Sequence, residues 1–206
     1  MKDAAKLRDM TPFEGMDFET LISTSLDGVG LEPGGLSAAL IDTPLQPMVA
    51  VADDDALQVL EFLDRRIFGA QVSAVMRATG QGLAVGETRV TAQIREELDA
   101  YFRGALARFR TPLALHGTPF VTAVWRALLA VPVGETRSYG ALAETLKNPK
   151  AVRAVAQANG ANRLAIIVPC HRIIGADGSL TGYGGGLWRK KWLLEHEGRH
   201  FGNRLL

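Results

Sequence analysis

A thiol attacks carbon only as a thiolate, and the single cysteine of this 206-residue chain sits where that change could be assisted. The local sequence is Val168-Pro169-Cys170-His171-Arg172-Ile173-Ile174. An imidazole beside the thiol can take its proton, and a guanidinium can favour the anion. The same residues also fit a buried structural cysteine next to a surface His-Arg pair, so the tetrapeptide alone leaves both readings open. With one cysteine, an intramolecular disulfide, a dithiol redox pair and a thiolate-rich metal cluster are excluded, which points to a reducing compartment.

The elements that would carry this chemistry can be read outward from Cys170. The apolar run Leu164 to Val168 reads as a buried strand stopped by Pro169, which would deliver the cysteine to a site just beyond a strand end. Thr118 is positioned to cap a helix that starts at Pro119 and runs from Phe120 to Ala130, with Gly134 ending that element. Ser138 can cap a second helix, Tyr139 to Leu146. Asn148-Pro149 then forms a turn before a third, Lys150 to Ala158, which Gly160 stops. Two short helices around a three-residue turn have the dimensions of a helix-turn-helix. Gly182, Gly184, Gly185 and Gly186 form a loop before a final helix, Arg189 to Glu197.

Further upstream, Leu36 to Ile41, Met48 to Val51 and Leu57 to Leu63 are apolar runs separated by Thr43-Pro44 and Asp53-Asp54-Asp55, the pattern of an antiparallel meander. A helical reading of the third run stays open. Ile94, Leu98, Tyr101, Phe102 and Ala105 make a helical stripe in Val90 to Leu106, and Pro112 to Leu115 could add a strand. No structure is assigned before Leu36. The expected organisation is an extension at 1–35, an N-terminal α/β domain at 36–112 and a C-terminal domain at 113–206. Residues 1–110 hold 11 Lys and Arg against 17 Asp and Glu, a net of −6; residues 111–206 hold 12 against 5, a net of +7. Either chance or contact of the second half with a polyanion explains that asymmetry. With no apolar run of membrane-spanning length and no signal-like start, a soluble, cytoplasmic protein is expected.

Residues 43 to 201 resemble the O6-alkylguanine-DNA alkyltransferases, and Gly117 to Gly198 match their catalytic domain almost without gaps. The resemblance rests on Gly134-Glu135-Thr136-Arg137-Ser138-Tyr139, on Asn148 through Val155, and on Asn162 eight residues before the cysteine. It continues through Pro169-Cys170-His171-Arg172, Gly182-Tyr183-Gly184-Gly185-Gly186-Leu187 and Trp192-Leu193-Leu194-Glu195-His196-Glu197-Gly198. It implies an α/β fold: an N-terminal antiparallel-sheet domain of ribonuclease-H-like form, and a mostly helical C-terminal domain with the helix-turn-helix and the active-site cysteine.

The resemblance also implies roles. Cys170 would be the acceptor of the alkyl group, and His171 its base through a water. Glu197 would orient the imidazole, Asn162 would fix the cysteine loop, and Tyr139 would donate to N3 of the leaving guanine. Tyr183, Gly184 and Ile173 would form the base pocket. Arg153 would fill the gap left by the extruded nucleotide, beside the small residues Ala151, Ala154, Ala156 and Ala158 of a helix lying in the minor groove. Each residue also has an ordinary reading: Glu197 as a solvated helix-end carboxylate, Asn162 as a turn residue, Tyr139 as packing, and Arg153 as an exposed cation on an Ala-rich helix.

The implied reaction is a single, irreversible transfer from O6-alkylguanine, with O4-alkylthymine the alternative lesion, by a monomer acting on double-stranded DNA without cofactor or metal. His196 and His200 are four apart but straddle Gly198 near the terminus, a poor metal grip. Among rivals, a non-catalytic damage-binding module would lack the cysteine. A sequence-reading regulator would need more Asn, Gln or Arg on its recognition helix. A Cys-His hydrolase would need an oxyanion site that no motif here supplies.

Overall fold

The computed structural model describes residues 17–25, 31 and 34–202, so most of the segment read as an extension lies outside the described residues. Helix α1 (Phe18–Ser25) falls in a stretch for which the sequence reading assigned nothing. Asp17 starts it, its carboxylate accepting from the Thr20 backbone N–H at 2.9 Å, and Leu21 and Ile22 are buried.

The meander is present as β1 (Gly35–Ile41), β2 (Met48–Ala52) and β3 (Leu57–Phe62). Registers of Ile41 on Met48 and Met48 on Phe62 make both pairings antiparallel. The third run is thus a strand. Between β3 and the next predicted helix the chain forms α2 (Phe68–Thr79) and β4 (Gly82–Val85), neither of which was anticipated. The expectation of a purely antiparallel sheet needs correcting, because β4 joins β1 in parallel and the strand order is β3-β2-β1-β4. The intervening α2 provides the crossover that a parallel connection requires.

Both faces of the sheet are covered, which explains its apolar strands. Val49, Val51 and Val59 face a cluster with Leu21, Ile22, Phe68 and Val72; Met48, Ala50 and Phe62 face the main core. Alternate residues point to opposite faces of a strand. Helix α3 (Arg89–Phe102) closes that side, capped reciprocally by Thr88 and Thr91. It ends four residues before the predicted Leu106. Pro112 to Leu115 does not form a strand: Leu113 makes one isolated parallel bridge to Leu57.

Helix α4 (Pro119–Leu129) carries the Thr118 cap, the hydroxyl accepting from Val121 N–H at 3.3 Å. Strand β5 (Arg137–Ser138) leads into α5 (Tyr139–Thr145), and a 3-10 turn (Pro149–Ala151) precedes α6 (Val152–Gly160). The Trp125 indole donates to the Ala158 carbonyl at 2.8 Å, fixing α6 on α4. Ala158 therefore faces inward.

Leu164 to Val168 is not a strand. Leu164 makes a single bridge to Leu60, and the chain then coils on itself, Val168 N–H donating to Leu164 O at 2.9 Å. Ile166 takes φ of +71°, an unusual and costly conformation for a β-branched residue. The run is apolar because it is buried, and periodicity cannot separate buried turn from buried strand over five residues. After a 3-10 turn (Cys170–Arg172), β6 (Ile173–Ile174) pairs in parallel with β5. Helix α7 (Leu187–His200) completes the chain described, longer at both ends than predicted.

Candidate active site and DNA-binding face

Asn162 organises the cysteine loop. Its carbonyl oxygen accepts from Leu164 N–H at 3.0 Å, while its amide donates to Val168 O at 2.8 Å and to Cys170 Sγ at 3.1 Å. One side chain thus satisfies the irregular backbone of the turn and touches the thiol. Cys170 is 6% exposed, and burial pushes its thiol up to about 11, the Asn162 amide acting against that rise. The thiol is therefore neutral near pH 7 and needs a base.

His171 and Glu197 are both fully buried. His171 Nε2 lies 2.8 Å from Glu197 Oε1, which places the imidazole proton on Nε2 and leaves Nδ1 as the basic atom. Nδ1 is buried and has no hydrogen-bond partner among the described residues. Burial lowers the His171 pKa, with Glu197 pulling the other way, so the ring is neutral and able to accept a proton.

Glu197 collects more partners than the sequence suggested. Tyr101 OH donates at 2.8 Å, Arg172 donates through Nε and one terminal nitrogen at 2.9 Å each, and Gly134 N–H donates at 3.1 Å. Burial works to raise this carboxyl, but the hydrogen bonds from His171 and Arg172 and the charge of Arg172 outweigh it and hold it well below the usual carboxylate range. Arg172 also donates to Val131 O at 2.6 Å. Its guanidinium is committed to Glu197, so the sequence expectation that it would favour the thiolate directly is corrected. Tyr101 had registered only as part of an apolar helix stripe, and Gly134 as a helix stop and as the first residue of a motif of the resemblance, with no role at Glu197 expected of either. Neither signal distinguishes packing from a polar contact 96 or 63 residues away.

Tyr139, at the start of α5, is half-buried, and its hydroxyl lies 3.4 Å from the carbonyls of Thr181 and Gly182. Those long contacts leave its proton free to be redirected to a ligand. Tyr183 is buried with its ring edge-on to His171, centroids 6.4 Å apart, and its hydroxyl has no hydrogen-bond partner among the described residues. Tyr183, Gly184 and Gly185 line a narrow void together with Cys170 and Asn162. Ile173 does not: it is fully buried in β6, behind the cysteine. Its carbonyl accepts from Lys190, as does that of Thr181. Burial lowers the Lys190 pKa to about 8. A lysine on a charged final helix gave no sign of this inward role.

The helix-turn-helix presents a different surface. Lys147, Lys150 and Arg153 are exposed, as are Ala154 and Ala156, with Ala151 half-buried. Val155 and Ala158 face the core. The exposed face of α6 thus carries Arg153 beside Ala154 and Ala156, with Val152 and Gln157 also exposed.

A buried cysteine held by an asparagine, a neutral histidine oriented by a carboxylate, and a cationic helix-turn-helix in the same half of the chain fit an alkyl-accepting DNA-binding protein. Residues 119–199 match the family described as 6-O-methylguanine DNA methyltransferase, DNA binding domain. The chain is 45% identical to the methylated-DNA--protein-cysteine methyltransferase of Mycobacterium leprae over 157 residues, covering 76% of this chain and 89% of that protein. It is 43% identical to the protein of the same name from Methanosarcina mazei over 159 residues, covering 77% and 94%. The crystal structure of Mycobacterium tuberculosis OGT in complex with DNA superimposes with a TM-score of 0.70 at 41% identity, covering 81% of this chain and 95% of that one. The chain belongs to the methylated-DNA--protein-cysteine methyltransferase family.

Proposed function

We propose that this protein repairs DNA by moving an alkyl group, methyl first of all, from O6 of guanine onto Cys170, once per molecule. The observation that carries the reading is the Asn162-Cys170 and His171-Glu197 pairing, a neutral thiol beside a neutral, oriented base. In the reaction His171 Nδ1 takes the thiol proton through a water, and sulfur attacks the alkyl carbon. The carbon–oxygen bond breaks, and the guanine leaves with its developing charge met by the Tyr139 hydroxyl at N3. Tyr183 and the Gly184 backbone hold the base. The product is a thioether, and with no second thiol to exchange with it the molecule is spent.

A base inside a duplex is out of reach, so the nucleotide must leave the stack, at a cost of about a few kcal/mol. Arg153 fills the gap, and the small Ala151, Ala154 and Ala156 let α6 lie in the minor groove. The protein acts as a monomer in the cytoplasm, where a free Cys170 thiol stays reduced. Residues 36–112 serve as an N-terminal domain and 113–206 as the reacting domain, with 1–35 an extension. The reading is tested by titrating the protein against a duplex holding one O6-methylguanine and measuring the restored guanine. Repair should stop at one equivalent. Continued turnover, or none, would count against it.

A further inference from the structure

The void at Cys170 has a wall from the other half of the chain. Glu61, the penultimate residue of β3, is fully buried and pairs with Arg65 one turn on. Its carboxylate also accepts from Phe62 N–H at 3.0 Å and from the Gln71 amide at 3.3 Å. So anchored, Arg65 reaches the far loop: its guanidinium donates to Gly160 O at 3.1 Å and approaches Asn162 O at 3.5 Å, and Gln71 donates to that same carbonyl at 3.3 Å. On its other side it lies under the glycine loop, where a Cβ added to Gly184 would come within 1.9 Å of the guanidinium.

Stability alone does not account for this arrangement. A buried ion pair is often matched or bettered by apolar residues of similar volume, because two charges must leave water. The pair stands, however, where its donors meet the backbone of Asn162, whose side chain holds Cys170 Sγ, and the underside of Gly184. The two loops that flank the thiol share one support.

We propose that Arg65, fixed by Glu61, is a positioning residue for alkyl transfer, acting through the Asn162 backbone and the Gly184 loop rather than on the reacting atoms. The proposal rests on Cys170 being the alkyl acceptor. It is tested by single-turnover alkylation of Cys170 with free O6-methylguanine base, which involves no DNA contact. Arg65→Ala should slow transfer by about tenfold to a hundredfold, the loss that displacement of a reacting group by about 1 Å brings. Arg65→Lys should recover part of it by restoring one donor. In an Asn162→Ala background the same Arg65→Ala change should cost less than in wild type, because the side chain that carries the Asn162 backbone position to Cys170 Sγ is already gone and only the share passed through the Gly184 loop remains. Gly184→Ala, which displaces the guanidinium from the opposite side, supplies a second route should Arg65→Ala fail to fold, and it should lose rate in wild type but little more in Arg65→Lys. Losses that multiply independently, or an Arg65→Ala protein at wild-type rate, would overturn the proposal. A wild-type protein left unalkylated would instead overturn the reading of Cys170.

Discussion

Replacing Glu197 with Gln removes one charge from a site where five donors converge. An amide offers one accepting oxygen. If that oxygen takes the Oε1 position it keeps Tyr101, His171 and the Arg172 terminal nitrogen, but the amide N–H groups then face the N–H of Gly134 and the Nε–H of Arg172, donor against donor. If it takes the other position, His171 meets a donor and must accept through Nε2, which moves the ring proton onto Nδ1 and removes the base. Either way Arg172, 7% exposed, loses its counter-charge. Breaking a buried pair in this manner costs about 3–5 kcal/mol. The loss of oriented general-base support should slow transfer by about a hundredfold to ten-thousandfold. Urea unfolding gives the first quantity, and single-turnover alkylation by free O6-methylguanine in the absence of denaturant gives the second. A Glu197→Gln protein with an unchanged midpoint, or one destabilised yet reacting at full rate, would refute the argument that one carboxylate serves both structure and base.

Three further outcomes follow from the same geometry. With its pKa raised to about 11, Cys170 should react with a small maleimide at neutral pH at least about a hundredfold more slowly in the native protein than in denaturant, where the thiol returns to about 8.5; equal rates would show the thiol to be accessible and ionisable. Burial lowers the pKa of both His171 and His196, so the unfolded chain binds protons that the folded one refuses. Melting temperature should therefore fall as pH drops below about 6.5, and the loss should continue down to the lowered folded values. Arg153→Ala should lose most of its rate on methylated duplex and little on free base, since only the duplex needs extrusion; equal impairment on both would place the flipping role elsewhere.

What the sequence conveyed depended on whether a residue's partner was near. Caps set by the next turn, Thr118 and Ser138, and strands bounded by Pro44 and the Asp53 turn were legible because their causes are local. The parallel β4 was not, since four residues of mild apolar character join the sheet only because α2 brings them to β1. Leu164 to Val168 misled because burial and strand formation favour the same residues, while the Asn162 side chain that replaces strand hydrogen bonds lies outside the run. At the site, Cys170, His171, Asn162 and Glu197 were reached through resemblance, and the structure brings them together. Tyr101 and Lys190 on helices and Arg65 in the turn after β3 were missed because residues of these types in such places are ordinarily packing or solvated charge, and only the fold reveals what they touch.

The most direct test places the alkyl group itself. After reaction with one equivalent of duplex carrying O6-methylguanine, proteolysis and peptide mass measurement should find one added methyl group on the peptide containing Cys170, and none on any peptide of Cys170→Ala treated alike. A methyl group on another residue, or its appearance in the Cys170→Ala protein, would contradict the account.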